Sequence, residues 1–364
     1  MLHCNVLFVI NSTFVLFILF CLLYFILAAA FLCNYRCCQK LSYALPVVVG
    51  LSLFTKTKDK ETDETNEKDH ASRKLVDMKK HLLEDDSEVV LTLKKAKLAE
   101  AKQNLDEADE LYHHALALVS IHHQQKSWSP ERILQARVYI YDCMANLALV
   151  RGQRNSAEKL LKSTIQGLLQ QGKAQDDNAI VELSLKLAVI YAAENRLQEA
   201  ELGYQFCIDT QQKKVDSATE FDVDTVALLG MSVDAYSRYL VAQKDYSAAM
   251  RNLNKALEIA ISVLGETHQQ VAVLLSDIAT VASLTNDFDI AQDKLLRAVD
   301  IAEKIESSHL PTMYYNLGAV YAHQQNVAEA RALFNKAVKL AKQFDDKEAL
   351  MKAEEGLNRL ETKT

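Results

Sequence analysis

Histidine and cysteine are the side chains most able to hold a metal or attack a carbonyl, and their spacing in this chain argues against both. His113-His114 and His122-His123 fall on one helical segment with no carboxylate or thiolate spaced to complete a ligand set. They read as a solvated helix face. Five of the seven cysteines (Cys4, Cys21, Cys33, Cys37 and Cys38) fall within the first 38 residues. The Cys33–Cys38 cluster suits palmitoylation or a metal, but no histidine stands near it. Cys143 and Cys207 read as small buried apolar groups and not as a disulfide framework. No nucleophile elbow, phosphate loop, dinucleotide fingerprint or paired-histidine zinc motif occurs. The expectation is no catalysis, no cofactor and no metal. A net charge of −7 and a pI near 5.8 argue against a nucleic-acid partner.

With chemistry set aside, the organising signal is a recurrence of small residues. Three prolines and nine glycines in 364 residues are few, and long Ala/Leu/Lys/Glu/Gln runs favour an all-α chain. The second repeat places Ala145, Ala157, Leu161 and Thr164 at its eighth, twentieth, twenty-fourth and twenty-seventh positions. The third gives Ala188, Ala200, Tyr204 and Cys207, and the fifth Ala279, Ala291, Leu295 and Ala298. The sixth runs from Leu317-Gly318 through Tyr321 to Ala330, Phe334 and Ala337. The first (Ala96, Ala108, Tyr112, Ala115) and the fourth (Ser237, Ala249, Leu253, Ala256) keep the pattern best in their second helix. Two antiparallel helices approach closely only where side chains are small, and large apolar residues fill the remaining gap. This is the tetratricopeptide pattern, and it predicts a solenoid of about six helix pairs.

The predicted pairs are 86–123, 130–171, 176–214, 220–264, 267–304 and 309–343, with a helix over 347–361 covering the end of the stack. Equivalent small residues lie 39–49 positions apart, above the standard repeat of about 34. Extended helices or long connections, as at Ser127–Pro130 and Val215–Asp224, must absorb the excess. Ser129 before Pro130 predicts a capped helix start.

Upstream, no residue from Cys4 to Tyr35 carries a formal charge, and Phe14–Cys33 is twenty residues of nearly pure hydrocarbon. A shorter apolar piece, Leu41–Phe54, is interrupted by Pro46 and Gly50. Three readings compete: a signal-anchor, part of a targeting sequence, or a misassigned start of the gene. Membrane association near 41–54 is favoured, which makes 1–54 a targeting or transmembrane region. Residues 55–87 have almost no apolar content before Leu75 and read as a charged flexible linker. The solenoid is expected over 88–361.

A helical array of this kind presents a row of first helices to a protein partner, with positions two, five, six, nine and twelve facing outward. The candidates are Asp142, Asn146, Lys186, Asp234, Arg238, Tyr315 and Asn316, with Lys94, Lys97, Glu182, Ser276, Thr280 and His323 beside them. The two-Asn, three-basic clamp that grips chaperone tails is missing, since Asn146 and Asn316 are four repeats apart.

Beyond the repeat consensus, YDCMANLALVRGQ at 141–153, DDNAIVELSLKLAVIYAAENR at 176–196 and GYQFCI at 203–208 carry a more specific resemblance. LGMSVDAYSRYL at 229–240 and SDIAT at 276–280 extend it over about residues 88–345. The chain resembles the mitochondrial tetratricopeptide repeat protein 19 family, of the respiratory complex III assembly and maintenance group. The resemblance implies an inner-membrane-tethered scaffold that engages the cytochrome bc1 dimer near the Rieske iron–sulfur subunit and helps clear its presequence-derived fragments. Two departures stand out: no arginine-rich presequence, and a connection over Gln211–Thr225 shorter than the family pattern. GETHQQVA at 265–272 is similar to kinesin light chain repeats over one junction. With the charge-free N-terminus, it supports an alternative: a membrane-anchored cargo or trafficking adaptor of the secretory pathway.

Overall fold

The computed structural model describes residues 87–220 and 222–362. The chain divides into Met1–Val47 and Val48–Thr364; the first unit lies outside the described residues, and every described helix belongs to the second. The expected regions 1–54 and 55–87, apart from Ser87, also lie outside them. Among the described residues no helix is long and apolar enough to cross a membrane.

Thirteen helices and no strand make up the described part. They are α1 (Glu88–Ala101), α2 (Leu105–Gln124), α3 (Pro130–Val150), α4 (Arg154–Gln170), α5 (Asn178–Ala193) and α6 (Leu197–Ser217). Then come α7 (Val223–Ala242), α8 (Tyr246–Leu264), α9 (Gln269–Leu284), α10 (Phe288–Lys304), α11 (Leu310–His323), α12 (Val327–Phe344) and α13 (Lys347–Thr362). Consecutive helices pack as hairpins, α1–α2 through α11–α12, and each hairpin packs on the next. The α13 helix lies on both α11 and α12 at the C-terminal end. This is the all-α tetratricopeptide solenoid that the small residues predict. The excess repeat length lies in the helices: α3 and α6 each run 21 residues. The segment Gln211–Thr225 is mostly helix, since α6 continues to Ser217 and only residues 218–222 connect it to α7.

The packing slots behave as sterics require. Ala96, Ala108, Ala115, Ala145, Ala157, Ala188, Ala200, Cys207, Ser237, Ala249, Ala279, Ala291, Ala298, Ala330 and Ala337 are fully buried. In the third hairpin a Cβ on Gly203 would lie 2.8 Å from Ala188 Cβ, so the α6 backbone rests directly on the Ala188 methyl of α5. In the sixth, the Phe334 ring is wedged between two glycines. A Cβ on Gly318 would sit 2.8 Å from the ring, and one on Gly356 of α13 would sit 2.9 Å from it. Phe334 is the peg that seats the terminal helix.

First and second helices of the hairpins are buried differently. The α7 and α9 helices bury residues around most of their circumference, because each is flanked by its own partner and by neighbouring first helices. The α12 helix buries one stripe, Ala330, Phe334, Ala337 and Ala341.

Every hairpin turns through three residues, and the second of them always has positive φ: Gln103, Gly152, Asn195, Lys244, Asn286 and Gln325, at 62° to 70°. The next amide then reaches back five residues, as in Asp245 N to Leu240 O at 3.0 Å and Asp287 N to Ala282 O at 2.8 Å. This closes the first helix by a left-handed C-cap and aims the chain into the second. Between hairpins, Ser129 Oγ accepts from Arg132 N at 3.2 Å ahead of Pro130, as the sequence predicts. Gly265, at φ 86° and ψ 162°, ends α8 in a backbone region essentially restricted to glycine.

Candidate partner-binding face

The first helices α1, α3, α5, α7, α9 and α11 form one row, with direct contact between α5 and α7 and between α9 and α11. Side-chain bonds run along this row. Lys186 of α5 reaches back to Asn146 Oδ1 of α3 at 3.1 Å and holds Glu182 of its own helix at 3.0 Å. Asn178 Nδ2, at the start of α5, donates to Thr225 Oγ1 of α7 at 3.1 Å. Arg238 of α7 pairs with Asp234 at 3.1 Å and with Asp277 of α9 at 2.7 Å, while Gln270 Nε2 of α9 donates to Asp234 Oδ2 at 3.3 Å. Asn316 Nδ2 of α11 donates to Ser276 Oγ of α9 at 3.3 Å.

A register rule emerges. The residue at position six of one repeat meets position nine of the repeat before it in two cases, Lys186 with Asn146 and Asp277 with Arg238. Asn316, at position six, meets position five instead.

Electrostatics follow from this geometry. Burial would lower the Lys186 ammonium, but Glu182 and Asp142 outweigh it and hold the pKa above the ordinary lysine value. At Lys97 burial is again outweighed, by its partner Glu100 at 2.7 Å and by Asp142. Asp142 thus acts on two lysines from neighbouring repeats. In the middle of the row two carboxylates share one guanidinium. Burial lowers the Arg238 pKa, yet Asp234 and Asp277 together raise it. Asp277 is the carboxyl that protonates first: desolvation pushes it up to about 6, against the pull of Arg238 and with a further push from Asp234.

The predicted residues therefore fall into two groups and a remainder. Asp142, Asn146 and Lys186 form one cluster and Asp234 and Arg238 another, while Asn316 bridges to Ser276. Lys186 and Asp234 are buried within their pairs and present little surface. Tyr315 leans inward, its ring 5.7 Å from that of Phe334. Asp277 and Gln270 complete the second cluster. Reading charge at positions six and nine of adjacent repeats jointly would have found Asp277.

Elsewhere, His113, His114 and His123 are exposed, but His122 is not a solvated decoration. It stacks on Trp128 at 4.4 Å with Nδ1 2.7 Å from Ser127 Oγ, and Arg132 covers the same indole at 4.1 Å. Burial raises both remaining thiols, Cys207 to about 12, so neither is a nucleophile at neutral pH. No cluster of three or more metal-ligating side chains occurs among the described residues.

A tetratricopeptide repeat family model matches residues 232–304, and a second tetratricopeptide repeat model matches 311–344. Tetratricopeptide repeat protein 19, mitochondrial, of Homo sapiens is 39% identical over 290 residues, covering 77% of this chain and 74% of that protein. The Danio rerio protein of the same name is 41% identical over 230 residues, covering 61% and 54%. A Drosophila melanogaster homolog is 24% identical over 278 residues, covering 76% and 73%. Among solved structures, the apo form of RapI superposes with a TM-score of 0.56 at 17% identity, covering 78% of this chain and 80% of that one. BtubC (BKLC) from P. vanneervenii gives 0.52 at 18%, covering 72% and 94%. At those identities the structural likeness is one of fold alone.

Proposed function

Because this chain belongs to the mitochondrial tetratricopeptide repeat protein 19 family, we propose that it is a non-catalytic protein-binding scaffold of the mitochondrial inner membrane that assists assembly and maintenance of respiratory complex III. Its task there is to engage cytochrome bc1 around the Rieske iron–sulfur subunit and aid turnover of that subunit's fragments. The observation that carries this reading is the identity of 38–39% to relatives named mitochondrial over 77% of the chain. Residues 1–54 supply the membrane tether, 55–87 a charged linker and 88–361 the binding body.

The bonded row of first helices supports the scaffold role. Asp142, Asn146 and Lys186, then Asp234 and Arg238, then Asn316, hold one another in place before any partner arrives. A partner meeting this surface orders few side chains on binding, which lowers the entropic cost of association. Tyr315 supports the surface from below.

Deleting the protein should leave the bc1 dimer formed but impaired and carrying Rieske fragments. Normal bc1 activity in null cells would remove complex III as the partner. Imaging an internally tagged full-length chain should give a mitochondrial signal; an endoplasmic-reticulum signal would favour the secretory adaptor instead.

A further inference from the structure

The chain carries a net charge of −7, yet one face of α1 is basic and apolar at once. At about 100° per residue, Leu91, Lys95, Leu98 and the C-cap Lys102 fall within about 60° of one another. Lys94 borders them on one side and Glu88 on the other. The opposite side of the helix is the packed one, with Val89, Leu93 and Ala96 fully buried. Leu91 is 46% exposed and Leu98 56%. The large apolar residues that the other first helices expose, Val150, Val223 and Leu284, are each the first or last residue of their helix.

The three lysines of this face are uncommitted. Lys94, Lys95 and Lys102 are exposed and form no ion pair among the described residues, whereas Lys97 holds Glu100 at 2.7 Å. Nearby acids are engaged elsewhere. Asp106 and Asp109 of α2 pair with Arg151 of α3, and Glu107 accepts from Asn104 Nδ2 at 2.7 Å. A protein interface favours aromatic side chains and arginine and is poor in lysine. This helix has no aromatic residue and no arginine. Interleaved lysine and leucine suit the boundary of a bilayer instead, where apolar groups enter the acyl region and lysine stems carry their charge back to the phosphates.

We propose that this face of α1 docks on an anionic lipid surface, with Leu91 and Leu98 entering the interface and Lys94, Lys95 and Lys102 meeting headgroup phosphates. The contact lays the N-terminal hairpin on the bilayer. Each lysine near such a surface strengthens attraction about five-fold, so the three contribute on the order of a hundred-fold. That is weak for a free protein and sufficient for a tethered one, because a tether raises the effective concentration of the helix at the membrane. The inference rests on the membrane-scaffold reading only for the nearness of a bilayer.

Fluorescence of the full-length Leu98→Trp variant, reconstituted with vesicles carrying brominated acyl chains, tests it. The native chain, whose one tryptophan is Trp128, supplies the background to subtract. In phosphatidylcholine vesicles containing phosphatidylglycerol the introduced indole should lose roughly half its emission, since an interfacial helix sits about 5–10 Å deep. In pure phosphatidylcholine it should keep its emission and remain open to iodide. Adding Lys94→Gln, Lys95→Gln and Lys102→Gln should remove the bromolipid quenching while circular dichroism stays unchanged. Absent quenching in the anionic vesicles would overturn the proposal, as would equal quenching in neutral ones or quenching that survives loss of the lysines. An indole shielded from iodide in neutral vesicles would assign the face to protein, another part of the chain or a second copy, and overturn it too. Flotation with pure phosphatidylcholine vesicles reads the tether separately: a chain that floats there without quenching in the anionic vesicles refutes the docking face alone.

Discussion

Replacing Lys244 with glycine should stabilise the protein, although it removes a side chain. Lys244 is exposed at the middle of a hairpin turn with φ of 65°. An L-residue held there loses about 1–2 kcal/mol to the clash of Cβ with the following carbonyl. Glycine avoids that clash but gains freedom in the unfolded chain, which returns about 0.4–1 kcal/mol. The balance is about 0.5–1 kcal/mol in favour of Lys244→Gly. The chain supplies its own control, because Gly152 occupies the same turn position with φ of 70° and nothing within 4 Å of where its Cβ would stand. Gly152→Ala therefore tests torsion alone and should destabilise by a similar amount. Gln103 and Gln325 should respond to glycine as Lys244 does, and Asn195 and Asn286 less, since asparagine tolerates this region. Urea unfolding followed by circular dichroism reads the difference as a midpoint shift of about 0.2–0.4 M at an ordinary slope. A midpoint that falls for Lys244→Gly while rising for Gly152→Ala would refute the argument.

Three other outcomes rest on packing and charge. Ala188→Leu places a branched side chain where Gly203 already touches Cβ, and should cost about 1–3 kcal/mol; an unchanged melting temperature would mean the hairpin opens freely. Phe334→Ala empties the slot between Gly318 and Gly356 and should cost about 3–5 kcal/mol, with α13 losing exchange protection before α12 does. Asp277 has a folded-state pKa near 6, above its ordinary value of 3.8. Its contribution to stability is therefore largest below the ordinary value and is lost as pH rises through about 6. The native chain should lose ground to Asp277→Asn across that range, with Arg238 and Asp234 facing the group. A difference in melting temperature that stays flat from about pH 4 to 6.5 would refute the assignment.

Much of the helical architecture is legible in the sequence because its determinant is volume at fixed spacing. Ala145, Ala157 and Leu161 announce a hairpin whatever surrounds them, and all three are buried as expected. The turn conformation is less legible. Only Gly152, Asn195 and Asn286 advertise a left-handed residue, while Gln103, Lys244 and Gln325 adopt it because the close approach of two helices leaves the chain no other exit. The bonds along the first-helix row are hidden for a different reason. Arg238 and Asp277 come from repeats of unequal length, so their meeting depends on a register that composition does not reveal. His122 escapes a helical-face reading because its partner, Trp128, lies beyond the end of its helix.

The bonds along the first-helix row are unequal in kind. Between α7 and α9 the bridge is ionic, whereas between α9 and α11 it is a single neutral hydrogen bond of 3.3 Å, joined at the same pair of hairpins by Gln292 to Tyr321 and Gln324 to Gln292. Added salt and acid therefore act on the middle of the array and leave its last junction untouched.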